Sequence, residues 1–234
     1  MHVLWAWAFI SVRFARIGEA EREAFVQGWA RGLLRLWRID LQVRGQPPAQ
    51  GPLLLVANHL SWLDIVVLHA AGFCRFIAKS DIKRWPFIGT MATGAGTLYI
   101  EREAPRDALR VMHHMKDALL RGEVVAVFPE GAIGNGVTLL PFHGNLIQAA
   151  ISASAPVQPV ALCYADARTG QPSLAPVYGD GQTLAGSVWR LLTTPGTRAV
   201  VSYGRPQFPV GRQRRQWAAE LHAAVAQLRD AAAL

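Results

Sequence analysis

The sequence predicts an α/β fold: a mainly parallel or mixed sheet of about seven strands flanked by helices, preceded by an N-terminal amphipathic helical segment. Three observations lead there. From residue 41 onward, short apolar runs alternate with segments of helical period. Gly and Pro punctuate the joins, as in the stretch GQPPAQGP after Arg44. The 234 residues are 51% hydrophobic and only 17% charged, which suits one large core and excludes intrinsic disorder.

Taken in order, residues 1–12 (MHVLWAWAFISV) are apolar, and Arg13 and Arg16 follow. Twelve residues fall short of the roughly 20 needed to cross a bilayer. A cleavable signal carries its positive charge before the apolar run, whereas here the charge comes after it. Residues 25–39 sort at helical period, with Phe25, Val26, Trp29, Leu33, Leu36 and Trp37 in one sector and Arg31, Arg35 and Arg38 opposite. Such a helix either lies in a headgroup layer or packs on a core with a solvated arginine face. The expectation is a membrane-associating helical segment over 1–40 and a single α/β domain over 41–234. Within that unit strands are expected at 41–44, 53–57, 73–78, 97–101, 124–128, 157–163 and 198–203. Helices are expected at 61–71, 82–93, 106–121, 144–154, 183–193 and 213–232. Pro105 and Gly122 bracket the third of these, as start and stop chemistry requires.

Twenty-four Lys and Arg against sixteen Asp and Glu leave a formal charge of +8. That balance favours anionic partners: nucleic acid, an anionic membrane surface, or phosphorylated substrates. From Gly181 to Ala219 there is no acidic residue, while Arg190, Arg198, Arg205, Arg212, Arg214 and Arg215 all fall there. This stretch reads as a basic rim or as a patch resting on anionic lipid. No nucleic-acid motif accompanies the arginines, so nucleic acid is set aside. Cys74 and Cys163 are too few for a disulfide framework or a cysteine zinc site, and read as small buried hydrophobes in a reduced compartment.

Three segments carry chemistry. Strand 53–57 ends at Asn58-His59, and Asp64 follows five residues after the histidine. Reacting groups in open α/β sheets gather at the C-terminal strand edge. One helical turn returns Asp64 toward the imidazole, where a carboxylate would set the tautomer and support an imidazolium. Strand 124–128 runs into Phe128-Pro129-Glu130-Gly131, which leaves Glu130 at the same edge. The run Gly96-Thr97-Leu98-Tyr99-Ile100-Glu101-Arg102 delivers a guanidinium to a third strand end, suited to a phosphate. Read singly, each is equally an ordinary structural histidine, a strand-ending turn and a surface arginine. His113 and Asp117 share a helix face without implying a metal, His143 reads as either a substrate contact or an ordinary loop histidine, and His69 lies in an apolar helix as packing.

Together, in this order, the segments resemble the lysophosphatidic acid acyltransferase (1-acyl-sn-glycerol-3-phosphate acyltransferase) family of glycerolipid acyltransferases. Its Asn-His-x4-Asp block matches Asn58, His59 and Asp64, and its Gly-x-x-Phe-Ile-x-Arg block matches Gly96, Tyr99, Ile100 and Arg102. Its Phe-Pro-Glu-Gly block matches Phe128 to Gly131, and its two-proline strand looks like Pro156 to Val160. The run from Ala78-Lys79-Ser80-Asp81 through Trp85-Pro86 to Gly89 is also similar. The resemblance implies that His59 is the general base on an acceptor hydroxyl and that Asp64 orients it. It implies that Asn58, Lys79, Gly96, Arg102, Glu130 and Gly131 bind substrate, with Arg102 on a phosphate. The implied reaction is direct acyl transfer from acyl-CoA or acyl-carrier protein to the sn-2 hydroxyl of lysophosphatidic acid, giving phosphatidic acid without metal or cofactor. Implied partners are the lysophospholipid acceptor, the acyl donor and an anionic membrane surface, with monotopic or peripheral attachment at the cytoplasmic face of the inner membrane. Ala132 and Ile133 stand where the family has Thr and a polar or basic residue, and His143 stands where it often has Lys. Another lysolipid acceptor, such as lyso-ornithine lipid, is therefore the alternative. The alternative of another class is a basic membrane-surface binding protein without turnover.

Overall fold

The computed structural model describes residues 1–100, 105–179, 181–194 and 196–232, with the side chains of Lys79, Ile100 and residues 105–108 outside that description. Its strands are β1 (Asp40–Arg44), β2 (Leu53–Ala57), β3 (Arg75–Lys79), β4 (Leu98–Ile100), β5 (Val124–Val127), β6 (Val157–Asp166) and β7 (Thr197–Tyr203). Its α-helices are α1 (His2–Arg13), α2 (Glu19–Leu36), α3 (Leu63–Ala71), α4 (Ile88–Gly94), α5 (Pro105–Leu120), α6 (Gly144–Ser152), α7 (Leu184–Thr193) and α8 (Arg214–Ala232). The strands form one mixed sheet in the order β1-β7-β6-β2-β5-β3-β4, with β6 and β7 antiparallel and every other pair parallel.

β2 explains how one sequence run specifies the centre of this sheet. Leu53, Leu54, Leu55, Val56 and Ala57 are all buried, as a parallel strand covered on both faces must be. Because side chains alternate, Leu53, Leu55 and Ala57 join a core with Leu34 of α2, Val67 and Leu68 of α3 and Leu191 of α7. Leu54 and Val56 point the other way, into a core with Met115 of α5, Ile147 of α6 and Trp217 of α8. Each fully buried aliphatic side chain contributes roughly 1.5–3 kcal/mol. The sheet is therefore held rigid from both sides, and so are the chain ends that leave its upper edge.

Several element boundaries differ from the sequence expectation. The helix expected at 82–93 is split into a 3₁₀ turn at Ser80–Arg84 and α4 from Ile88, because Pro86 between them has no N–H to continue a ladder. The strand expected at 157–163 continues to Asp166, paired with β7 as far as Thr197. Pro159 is tolerated inside this interior strand because the antiparallel register with β7 begins only at Val160.

The N-terminal segment is two helices. α2 turns Val26, Ala30, Leu33 and Leu34 inward, so much of the sector expected to meet lipid is spent on the core, while Leu36 stays 63% exposed. α1 folds back along α2: Phe9 stacks on Phe25 at 4.3 Å and His2 on Trp29 at 5.8 Å. The outward apolar surface is carried by α1 instead, through Leu4, Trp5, Trp7 and Val12. Among the described residues no helix is long and apolar enough to cross a membrane. The acid-free stretch is partly neutralised within the fold: Arg198 pairs with Asp40, Arg212 with Glu220, and Arg190 donates to the carbonyls of Ala175 and Val177. Arg205, Arg214 and Arg215 remain exposed.

Candidate functional site

β2 and β5 are neighbours in register, Val56 beside Val127, so the residues that follow them leave the sheet side by side. His59 and Phe128 are those residues, and their rings stack at 4.0 Å with an interplanar angle of 10°. α3 then brings Asp64 back in its first turn. His59 Nδ1–H donates to Asp64 Oδ2 at 2.8 Å. An ionised carboxylate only accepts, so this bond selects the tautomer with its lone pair on Nε2. Asp64 is 0% exposed and the His59 side chain 18%, which leaves an imidazole edge reachable from solvent above a fully enclosed carboxylate. The backbone N–H groups of Leu60 and Ser61 also donate to Asp64 Oδ2, at 2.6 and 2.8 Å. Tyr164 Oη donates to Oδ1 at 2.6 Å.

Two residues implied as substrate contacts are spent on the scaffold. Glu130 is 5% exposed; Oε1 accepts from the His59 N–H at 2.7 Å and Oε2 from the Leu140 N–H at 2.8 Å. It braces the histidine from behind rather than facing the mouth. Burial pushes its carboxyl above the ordinary value of 4.5, against the two N–H groups that lower it. Asn58 is 1% exposed and bridges to β6 through both ends of its amide, donating to the Leu162 carbonyl at 2.9 Å and accepting its N–H at 2.7 Å. It pins the end of β2 to the next strand.

Gly131 is at the mouth with φ +72°, and a Cβ there would come within 3.2 Å of the His143 ring. Left-handed backbone and close approach together require glycine, and they set the exposed His143 ring against the turn that follows Glu130. Ala132 is exposed there too and Ile133 half-buried. Gly96 has φ +73° and ends α4, its N–H donating to the Thr93 carbonyl at 3.0 Å, so its part is to turn the chain into β4. Tyr99 braces that turn by donating to the Gly89 carbonyl at 3.2 Å. Lys79 is the last residue of β3, level with Ile100 of β4. Its side chain lies outside the described residues, and so does Arg102 altogether.

Sequence reasoning missed two residues that contact the His59–Asp64 pair. Phe128 appeared only as part of a block, and its stacking on His59 emerges only from the register of β2 with β5. Tyr164 fell one residue beyond the expected end of its strand. Among the described residues no cluster of metal-ligating side chains occurs. His69 is buried between Phe73 and Phe76 as packing, and burial lowers its pKa to about 4.

The Acyltransferase family pattern matches residues 38–163, more than half of the chain. A 1-acyl-sn-glycerol-3-phosphate acyltransferase of Neisseria meningitidis is 41% identical over 165 residues, 70% of this chain and 64% of that protein. A lyso-ornithine lipid O-acyltransferase of Pseudomonas aeruginosa is 38% identical over 165 residues, 70% of this chain and 62% of that protein. The chain thus spans somewhat less than two thirds of the length of these relatives. The crystal structure of the LPA acyltransferase PlsC from Thermotoga maritima superposes with a TM-score of 0.65 at 18% identity, covering 94% of this chain and 87% of that one, and shares the fold. The histidine and aspartate at the sheet edge, the matched pattern around them and these identities agree: the chain belongs to the Acyltransferase family.

Proposed function

We propose that this chain is an O-acyltransferase that moves a fatty acyl group from an acyl thioester to the free hydroxyl of a lysolipid, with lysophosphatidic acid as the acceptor. The observation that carries the reading is the His59–Asp64 pair: an imidazole edge reachable from solvent, its Nδ1–H held by an enclosed carboxylate at 2.8 Å. Nε2 takes the proton from the acceptor hydroxyl as its oxygen attacks the thioester carbonyl carbon. The C–O bond forms, the tetrahedral adduct collapses with loss of the C–S bond, and the imidazolium returns the proton to the leaving thiolate. Ester and free thiol are the products, without an acyl-enzyme. Asp64 balances the imidazolium while it lasts. A thioester is already an activated donor, so a base and a positioned alcohol suffice and no metal or cofactor enters this scheme. Acyl-CoA and acyl-carrier protein are both suitable donors.

Lysophosphatidic acid is favoured because the chain retains Arg102 in the phosphate block. Ala132, Ile133 and His143 favour a second reading, lyso-ornithine lipid, since they remove hydroxyl and permanent cationic groups beside Gly131. Thiol release from long-chain acyl-CoA, measured with each lysolipid in turn, separates the two. The first reading expects release with lysophosphatidic acid; release only with lyso-ornithine lipid would replace it with the second.

Membrane attachment is part of the same proposal. Exposed Trp7 of α1 meets exposed Phe87 edge-on at 5.6 Å, and Trp85 and Ile88 are exposed on the same turn. Two distant segments thereby build one aromatic surface, with Lys83 and Arg84 beside it in sequence. Indole and phenyl rings flanked by cations suit the headgroup layer of an anionic membrane. This supports peripheral docking through α1 and the 85–88 turn, the cytoplasmic face of the inner membrane being the location proposed.

A further inference from the structure

Asp64 has two oxygens, and they are held in different ways. Oδ2 accepts from three donors within five residues: Nδ1 of His59 and the N–H groups of Leu60 and Ser61. Oδ1 accepts from one group only among the described residues, the phenol of Tyr164, at 2.6 Å and a hundred residues further along the chain. Both side chains are closed off, Asp64 at 0% and Tyr164 at 5% exposure, so no solvent can replace that bond. The local donors fasten one corner of the carboxylate and leave it a pivot. Tyr164 fixes the second corner, and with it the plane in which Oδ2 meets the imidazole.

The fold supplies this donor at low conformational cost. Asn58 clamps β2 to Leu162 of β6 through two hydrogen bonds, which sets the height of β6 relative to the His59 segment. Tyr164 lies two residues further along β6, on the same face as Leu162, with both side chains in the core shared with α3. Its ring is therefore placed by packing, and its hydroxyl meets Asp64 without any loop having to order.

We infer that Tyr164 is a positioning residue of the His59–Asp64 pair: its hydroxyl orients the Asp64 carboxylate toward Nδ1 as His59 takes the acceptor's proton. The inference rests on the acyl-transfer reading above. Tyr164 touches no substrate and acts through Asp64 alone. Burial and the neighbouring Asp64 keep the phenol protonated well above its ordinary range, so it is a donor at every working pH. Without the hydroxyl, Oδ1 would be an enclosed charged oxygen with no partner, and the carboxyl would take a proton more readily. A neutral carboxyl cannot balance the imidazolium.

The test compares wild type with Tyr164→Phe, which removes one oxygen and keeps the ring. Loss of one charge-assisted hydrogen bond predicts a fall in kcat of about 10- to 100-fold. KM for the lysolipid should stay within about twofold, because uniform substrate binding is untouched. The acidic limb of the rate profile, which reports the coupled pair, should move up by about one pH unit. A hydroxyl whose bond to Asp64 is only structural would lower the melting temperature on removal and leave kcat and the limb in place, and that result overturns the inference. If the phenylalanine variant does not fold, 3-fluorotyrosine at position 164 keeps size and hydroxyl while making the donor more acidic. The limb should then move down, and an unmoved limb overturns the inference. The downfield Nδ1 proton of His59, read by NMR without substrate, should shift in either variant. A shift in an enzyme that turns over no lysolipid would sink the acyl-transfer reading and keep the hydrogen-bond role. No shift in an active enzyme would sink the role and keep the reading.

Discussion

At the scale of single residues, the candidate site is a histidine held from three sides. Asp64 holds its ring through Nδ1, Phe128 stacks on its face, and Glu130 accepts its backbone N–H. Glu130 is the least expected of these, since a carboxylate at a site mouth is ordinarily read as a substrate ligand. Glu130→Gln replaces an acceptor-only group with an amide that must point one N–H donor at another. Stability should fall by about 1–3 kcal/mol, measurable by denaturant unfolding. The raised carboxyl pKa means that the folded chain binds this proton more tightly than the unfolded chain. Its contribution is therefore full below 4.5 and is lost as pH rises through the raised value, so the variant should show a flatter stability profile across that window. The His59–Asp64 contact was legible in the sequence because both residues lie within about one helical turn of a strand end. Tyr164 was not, because its contact spans a hundred residues and no local spacing encodes which strand will lie next to β2.

At the scale of elements, strands were legible wherever burial on both faces leaves an uninterrupted apolar run, as in β2 and β5. They blurred where polarity enters, as at Tyr164 to Asp166 of β6. Helix α3 does two jobs: its first turn presents Asp64, and its last turn buries His69 against Phe73 and Phe76. The second carries a penalty on acidification. The folded pKa of His69 is about 4 against 6.5 for the free side chain, so the unfolded chain binds more protons between those values. Stability from this site is present above 6.5 and lost as pH falls toward 4, by on the order of 3 kcal/mol at most. His69→Leu should therefore flatten the loss of stability from pH 6.5 to 4, seen by chemical unfolding at a series of pH values. An equally steep loss in the variant would assign the acid sensitivity elsewhere. α2 shows the limit of periodicity: its apolar sector was visible in the sequence, but whether it meets lipid or α3 depends on a neighbour that helical period does not specify.

At the scale of the whole molecule, one mixed sheet collects His59 and Glu130 at the ends of adjacent parallel strands, while α1 and the 85–88 turn present aromatic rings outward. The proposed lysolipid acceptor and a bilayer surface belong together, because a lysolipid's chain is most stable in the membrane the rings would enter. Changing Trp7 and Phe87 together to alanine should reduce co-sedimentation with vesicles containing anionic lipid by about 10-fold or more, given the apolar area of two aromatic rings. Binding of the wild type should also weaken as salt rises, through the screened contribution of the net charge of +8. Unchanged binding of the double variant would show that this face does not dock to the membrane.

In the proposed reaction His59, oriented by Asp64, is the base of acyl transfer to a lysolipid. Lysolipid-dependent thiol release from acyl-CoA by the purified wild type, His59→Ala and Asp64→Asn tests it most directly. Release by the wild type is expected, with a loss of about 100-fold or more in both variants and with folding and vesicle binding retained in each. Release that persists in His59→Ala would contradict it.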